Sequence, residues 1–172
     1  MHSLAARLAR GDEAAFAELY DACADRLFAY LTARLRSRDR AADVLQEAFL
    51  RAVENRRRFR KVENPVAYLF QIARNEAVVF NAREKRRATK PFILADMFIA
   101  AGTSESRENA ELAASALNRI DPDDRELVEL KVFGGLTFRE ISDLTGIPQA
   151  TVATKYRRAL EQLRPWLAKQ YS

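Results

Sequence analysis

Residues 135–160 read GLTFREISDLTGIPQATVATKYRRAL. Thr137 and Glu140 have the T-x-x-E spacing of a capping box, in which each residue hydrogen-bonds the backbone N–H of the other at a helix N-terminus. Gly146 follows, and glycine readily accepts the left-handed conformation that ends a helix. The stretch therefore predicts two helices with a sharp corner between them.

The second of these helices has a polar and cationic face. Ile147 is apolar at the corner, Pro148 suits the first turn of a new helix, and Val152 is expected to pack inward. The hydrogen-bonding or cationic side chains are Gln149, Thr151, Thr154, Lys155, Arg157 and Arg158. Such a helix fits the DNA major groove, with polar groups on base edges and cations on phosphates. An ordinary helical hairpin with a solvated basic face is the alternative.

Composition predicts an all-α globular protein. Hydrophobic residues make up 48% and charged residues 31% of the chain, which is not the balance of a disordered one. There are only 5 Gly and 5 Pro, and apolar residues recur at helical spacing almost throughout. The single Cys23 excludes an internal disulfide framework, and with only one His a zinc site is implausible. We expect no metal and no cofactor.

The chain shows no sign of membrane targeting. It has no run of about 18 apolar residues, the length that a membrane-spanning helix needs. The N-terminal MHSLAARLARGDEAAF reaches acidic residues by Asp12 and lacks a signal-peptide core. We therefore expect a cytoplasmic protein that does not insert into a membrane.

Charge is distributed unevenly along the chain. Residues 1–90 carry 19 Lys and Arg against 12 Asp and Glu, whereas residues 91–148 carry 5 against 11. Residues 149–172 are basic again, with 5 against 1. Two basic zones separated by an acidic zone fit a polyanionic partner that touches both basic zones. Chance scatter of charge is the alternative.

Two long helices are predicted in the first third of the chain. Apolar residues recur by threes and fours from Asp12 to about Arg36, with Cys23 on the apolar face as a buried core residue. Asp39 is expected to cap the next helix, which runs to about Asn55. Its inward face would be Val44, Leu45, Ala48, Phe49 and Val53, and its other face Asp43, Gln46, Glu47, Leu50 and Glu54.

A basic and aromatic segment follows. The connector NRRRFRKVENP ends at Pro65, where a third helix is predicted to run to about Arg87. The mixture of cations with Phe59, Tyr68, Phe70 and Phe80 suits backbone contacts and base stacking on single-stranded nucleic acid. The alternative is that these aromatic side chains belong to the core, and for Phe70 we prefer that interpretation.

Residues 88–108 are predicted to form a connecting segment. Its half at Phe92–Ile99 is unusually apolar, and we expect it to form a short helix that packs on one of the domains. A helix at about Ser106–Arg119 is predicted next. Asp121 would then cap a further helix with Pro122 at its first position and Asp124 near its N-terminus.

Three segments, in this order, resemble the extracytoplasmic-function (ECF) class of bacterial sigma factors. They are DVLQEAFLRAV (Asp43–Val53), NPVAYLFQIARNEA (Asn64–Ala77) and the stretch Leu117–Arg164. The resemblance covers about residues 12–165. It implies two helical domains, called regions two and four, which bind core RNA polymerase and direct it to promoter DNA. We place these domains at residues 1–88 and 109–172, joined by a linker at 89–108.

The resemblance also implies where each partner binds. The polymerase-binding positions are Asp43, Gln46, Glu47 and Leu50. The helix that reads and opens the minus-ten element would use Tyr68, Asn75, Arg83, Arg86 and Arg87. The minus-thirty-five element would be read by Gln149, Thr151, Thr154, Lys155, Arg157 and Arg158, with Arg158 as the base reader. An anti-sigma protein is a further partner that this class implies.

The sequence departs from the class pattern at two positions. Val79 stands where an acidic or amide residue is usual, and Ala153 where a basic residue is common. Two other functions remain as alternatives. A stand-alone helix-turn-helix regulator would leave DVLQEAFLRAV unexplained, and an enzyme is disfavoured because no phosphate loop or nucleophile–base set is present.

Overall fold

The computed structural model describes residues 3–85 and 115–170, and this part of the chain is helical and contains no strand. Its α-helices are α1 (Leu4–Arg10), α2 (Glu13–Leu35), α3 (Arg38–Glu54), α4 (Pro65–Glu84), α5 (Pro122–Val128), α6 (Phe138–Thr145) and α7 (Gln149–Gln170). A 3-10 helix spans Arg56–Lys61 and a π-helix spans Glu129–Phe133. The all-α prediction is confirmed. The segment Phe92–Ile99, most of the predicted helix Ser106–Arg119, and Arg86 and Arg87 lie outside the described residues.

Side-chain caps set most of the helix starts. Asp12 accepts a hydrogen bond from the Ala15 N–H at 3.2 Å and thereby starts α2 as predicted. The prediction that Asp39 caps α3 is wrong, because the Ser37 hydroxyl does so by accepting from the Arg40 N–H at 3.3 Å. Asp39 lies in the first turn of α3, where its charge suits the positive end of the helix dipole.

Helix α1 has no counterpart in the predictions. Ser3 caps it by accepting from the Ala6 N–H at 3.3 Å, and Gly11 ends it in the left-handed conformation with φ of 81°. Its seven residues are too few to show an apolar period, yet Leu8 is completely buried. The helix packs against the 3-10 helix and α2.

Helix α2 is the central element of the fold. Residues along its whole length are buried, among them Leu19, Leu27 and Tyr30 at 0% exposure and Cys23 at 1%. The prediction that Cys23 is a core residue is confirmed. Tyr20 is one of the apolar residues whose spacing predicts this helix, but it does not lie on the buried face, because it is 49% exposed.

The core continues from the first half of the chain (residues 3–85) into the second half (residues 115–170). Leu27, Phe59 and Phe70 belong to the same buried cluster as Leu130 and Ile141, which lie in the second half. A smaller cluster joins Ala33 of α2 to residues of the second half, namely Ala116, Leu117, Ile120, Val128, Ala159 and Leu163. The two halves therefore pack directly against each other through apolar side chains.

Candidate nucleic-acid interface and neighbouring groove

The two helices predicted in residues 135–160, with the sharp corner between them, form as predicted; we call this unit the corner motif. The Glu140 N–H donates to Thr137 Oγ1 at 3.2 Å, and the Thr137 N–H donates to Glu140 Oε2 at 2.7 Å, which completes the capping box. Gly146 ends α6 in the left-handed conformation with φ of 75°. Ile141 and Val152 are completely buried, so α6 and α7 pack through them.

Pro148 was predicted to lie in the first turn of the second helix, but it is the residue immediately before that helix. Helix α7 begins at Gln149, and the Pro148 carbonyl accepts the first helical hydrogen bond, from the Val152 N–H at 2.9 Å. Pro148 therefore precedes the helix instead of lying in its first turn. The missing N–H of proline is harmless at this point as well.

Glu140 connects the corner motif to the first half of the chain. Its Oε1 accepts from the Asn64 side-chain amide at 2.8 Å, and Asn64 is itself the cap of α4. Burial disfavours the charged carboxylate. The hydrogen bonds from Thr137 and Asn64 outweigh that effect and lower the pKa of Glu140 below its usual range. The capping box is therefore ionised at neutral pH.

Helix α7 exposes most of the residues predicted to read the minus-thirty-five element, and two of the six also contact α5. Gln149, Thr151, Thr154 and Arg157 are exposed. Arg158 is exposed too, but it hydrogen-bonds Asp124 of α5 through Nε at 3.0 Å and also through Nη2. Lys155 Nζ lies 3.7 Å from the same carboxylate. The sequence placed Asp124 near a helix N-terminus but did not show that it is 1% exposed and paired with α7.

Helix α4 carries the residues predicted to bind the minus-ten element. Tyr68 and Asn75 are two helical turns apart and so lie on one face. Asn75 is exposed, whereas Tyr68 is half-buried with its ring edge against Phe59, 5.2 Å between centroids. Arg83 is exposed further along α4, about two turns beyond Asn75 and about four turns beyond Tyr68. This face presents one amide and the outer surface of one aromatic ring.

Of the four aromatic residues predicted to stack on bases, Tyr68 and Phe80 are half-buried and the other two are completely buried. Phe59 and Phe70 are completely buried, so both belong to the core, and the preference stated for Phe70 is confirmed. The neighbours of Phe59 in the 3-10 helix are all exposed cations, namely Arg56, Arg57, Arg58, Arg60 and Lys61. Phe59 anchors this cationic turn to the core, close to the N-terminus of α4 in the chain.

Helix α3 separates two grooves. Gln46 and Leu50 line an apolar groove against α2 with a volume of about 780 Å³, whose other lining residues include Phe16, Tyr20, Phe28, Leu45, Phe49 and Val53. Leu50 is 53% exposed and Val53 is 43% exposed. Leu45 and Phe49, predicted to face inward, are half-buried and form the groove floor, and Val53 does not face inward.

Asp43 and Glu47 lie on the other side of α3. They line a polar groove against α4 together with Arg51, Glu76, Val79, Phe80 and Arg83. Arg51 connects the two helices, since its Nε lies 3.1 Å from Glu47 and 2.7 Å from Glu76. The four predicted polymerase-binding residues are thus all exposed but face two different grooves.

Two negative observations concern the described ranges 3–85 and 115–170. None of the helices in these ranges combines the length and the apolar character that a membrane-spanning segment needs. No group of three or more His, Cys, Asp or Glu side chains there could hold a metal ion.

This geometry defines a helix-turn-helix protein with a second helical domain, and comparison with known proteins identifies its family. The family models for Sigma-70 region 2 and Sigma-70, region 4 match residues 19–87 and 110–163. The ECF RNA polymerase sigma factor RpoE of Cereibacter sphaeroides is 30% identical over 162 residues, covering 89% of this chain and 86% of that protein. The chain belongs to the ECF sigma factors.

Other relatives agree with this assignment. The ECF RNA polymerase sigma factor SigK of Mycobacterium tuberculosis is 29% identical over 177 residues, covering 95% of this chain and 91% of that protein. The structure of the sigma factor RpoE of Bartonella quintana, solved in complex with the anti-sigma factor NepR, has the same fold. Its TM-score is 0.64 at 21% identity, covering 88% of this chain and 93% of that one. The protein is therefore a sigma factor that binds core RNA polymerase and directs promoter-specific initiation, and the stand-alone regulator is not favoured.

Proposed function

We propose that three surfaces divide the work of this sigma factor. The exposed ridge of α3, with the apolar groove beside it, binds core RNA polymerase. Tyr68, Asn75 and Arg83 of α4, with Arg86 and Arg87 beyond it, bind the minus-ten element. The exposed face of α7 reads the minus-thirty-five element. The domains are residues 1–88 and 109–172, and the protein acts in the cytoplasm without catalysing a reaction itself.

The exposure of Leu50 carries this proposal. A leucine that is 53% exposed beside Tyr20 and Val53, which are also exposed, forms a continuous apolar rim over the groove. Such a patch on a protein surface is typical of a protein–protein contact. Gln46, one turn before Leu50, adds a hydrogen-bonding group at the same rim. A partner helix of core polymerase would bury these side chains.

The anti-sigma partner is also part of this proposal. The Bartonella quintana sigma factor of the same fold was solved in complex with the anti-sigma factor NepR. We extend this kind of partner to the present chain, with the same apolar groove as its binding surface. An anti-sigma protein would then compete with core polymerase for Gln46 and Leu50.

A retention assay with purified core polymerase tests the polymerase surface. The double variant Gln46→Ala, Leu50→Asp is expected to lose polymerase binding while keeping the helical content and melting temperature of the wild type. Val78→Asp is the matched control, because Val78 is 54% exposed on α4 and does not line the groove. Unchanged retention of the double variant would disprove this surface.

Transcription in vitro tests the function as a whole. Core polymerase with a library of genomic fragments should yield promoter-specific transcripts only when the protein is added. The free protein should bind duplex promoter weakly, because each domain offers a small contact area of its own. Tight duplex binding with no retention of core polymerase would support the stand-alone regulator instead.

A further inference from the structure

A stripe of side chains runs along one face of α4, the face that carries Tyr68 and Asn75. Tyr68 is half-buried, whereas Gln71, Asn75, Val78 and Ala82 are exposed. These positions are alternately three and four residues apart, which places them on one side of a helix. Val78 therefore lies directly beyond Asn75 on this face. It is a branched apolar side chain in line with two amides and one aromatic ring.

The packing of the chain does not explain a valine at position 78. Val78 is 54% exposed, so its side chain contributes little to the core. Branching at Cβ also makes valine a poorer helix former than alanine in the middle of a helix. The neighbouring Val79 differs, because it lines the polar groove against α3. A contact between Val78 and a molecule bound to this face of α4 would account for the residue.

Thymine is the DNA base that offers an apolar group to such a side chain. Its C5 methyl group lies on the major-groove edge, where apolar side chains contact it in direct readout. A step of three helical residues, from Asn75 to Val78, advances about 4.5 Å, and neighbouring bases of one strand are about 3.4 Å apart. With α4 along the strand, Val78 lies level with the base next to the one that Asn75 meets.

We propose that Val78 determines sequence preference in the minus-ten region by contacting the C5 methyl group of a thymine. This inference rests on the proposed function of α4. The thymine is next to the base that Asn75 contacts, on the side away from Tyr68. Arg83 is exposed about one and a half turns beyond Val78, where its guanidinium suits a backbone phosphate on the same side. Asn75 and Val78 then read two successive bases, one by hydrogen bonds and one by apolar contact.

Replacement of thymine by deoxyuridine tests this contact, because deoxyuridine lacks only the methyl group. Each thymine of the minus-ten region is replaced singly in a promoter that the protein transcribes with core polymerase. For the wild-type polymerase complex, affinity should fall about threefold to fourfold at one position, as the loss of one buried methyl group predicts. The Val78→Ala complex should bind the thymine and deoxyuridine templates equally at that position.

Val79→Ala is the matched control, since it makes the same change at the next residue, which faces the groove against α3. It should keep the wild-type preference for thymine. Any effect of the missing methyl group on the DNA itself is the same for all three proteins, so the comparison between them isolates the contact. Alanine favours the helix more than valine does, and circular dichroism should show an unchanged helical content for both variants.

Two kinds of result would overturn the contact. One is a wild-type complex that is indifferent to deoxyuridine at every minus-ten position, or promoters that contain no thymine there. The other is a preference for thymine that persists in Val78→Ala or that Val79→Ala loses to the same extent. If the wild type binds and opens the promoter in either case, the proposed function of α4 stands and only the role of Val78 fails. If core polymerase with the wild type does not bind promoter DNA at all, the proposed function fails as well.

Discussion

Asp124 and Arg158 form an ion pair that connects the first turn of α5 to the middle of α7, the helix proposed to read the minus-thirty-five element. Arg158 Nε donates to Asp124 Oδ2 at 3.0 Å, and the Asp124 carboxylate is 1% exposed. The hydrogen bonds that Arg158 donates to Asp124 raise the pKa of Arg158, so the guanidinium stays charged. A carboxylate this deeply buried needs its cationic partners, because an unpaired buried charge is strongly destabilising. Nε and Nη2 of Arg158 are therefore engaged within the protein while it holds this position, although its side chain is 55% exposed.

We predict that Arg158 supports the reading helix without contacting DNA phosphates. Arg158→Ala should weaken binding to the minus-thirty-five element while leaving the salt dependence of binding unchanged. Asp124→Asn should have a similar effect, and the double variant should lose less affinity than the sum of the two losses, since both changes break one contact. Fluorescence anisotropy on a labelled duplex at several salt concentrations measures all three.

Arg157→Ala is the matched control for Arg158→Ala. Arg157 is exposed on the same helix, so its loss should reduce the slope of log affinity against log salt by about 1, as expected for one phosphate contact. A slope that falls equally for Arg158→Ala would show that Arg158 leaves Asp124 and contacts DNA, as resemblance to the class implies.

Asn75→Ala should impair promoter opening more than closed-complex formation. Asn75 is exposed, and its amide can both donate to and accept from an unstacked base, which is available only in melted DNA. Tyr68→Ala should act in the same direction, since base stacking is worth about 1–3 kcal/mol per base. The measurement is binding of the polymerase complex to duplex and to pre-melted promoter templates.

Tyr68 needs a control of its own because its ring also packs against Phe59. Tyr68→Phe keeps both the packing and the stacking surface and should behave like the wild type. If Tyr68→Ala and Asn75→Ala reduce binding to duplex and pre-melted templates equally, these residues do not contact melted bases.

Glu129 should make stability depend on pH. Burial raises the pKa of its carboxyl to about 7, while Arg34 and Arg125 lower it in part and Glu126 raises it further; Tyr30 also faces this group. Because the folded-state pKa lies above the unfolded one, the stabilisation is complete below about pH 4.5 and is lost as pH rises through about 7. The loss is at most about 3 kcal/mol, at about 1.4 kcal/mol per pH unit.

Urea unfolding of the wild type and of Glu129→Gln between pH 5 and pH 8 checks this prediction. The amide cannot ionise, so the free energy of unfolding of the variant should fall less steeply with rising pH. Groups other than Glu129 titrate in both proteins, and the difference between the two profiles therefore isolates this carboxyl. Parallel profiles would show that Glu129 does not titrate in this range.

Thr137→Ala should destabilise the protein by about 1 kcal/mol, which is the usual cost of losing a helix cap. The Thr137 hydroxyl accepts from the Glu140 N–H, and no alanine group can replace it. Thr137→Ser keeps this hydroxyl and is the matched control. Thermal unfolding followed by circular dichroism measures both, and equal melting temperatures for the two variants would refute a stabilising role of the capping box.

The parts of the fold that depend on neighbouring residues could be predicted from the sequence. The capping box, the left-handed Gly146 and the buried Val152 arise within about 15 residues, so spacing and residue type are sufficient. The choice between Ser37 and Asp39 as a cap was missed because both residue types suit that position. Only the backbone conformation of Ser37, with φ of −160°, decides between them.

The long-range contacts of the site could not be predicted. Asp124 and Arg158 are 34 residues apart, and Arg74 and Glu126 are 52 residues apart, so no helical period connects them. The division of the α3 residues between two grooves depends on where α2 and α4 pack. A period of 3.6 residues distinguishes the inside of a helix from its outside but does not indicate which neighbour each outer side chain meets.

The reactivity of the Cys23 thiol should report on local unfolding of α2. It is the only thiol of the chain, its sulfur donates to the Leu19 carbonyl at 3.0 Å, and burial raises its pKa to about 11. Alkylating reagents attack the thiolate, so labelling of the native protein should proceed only through transient exposure of the middle of α2. The labelling rate would then measure how often the core breaks open. For the same reason, the folded protein should not form disulfide-linked dimers under oxidising conditions.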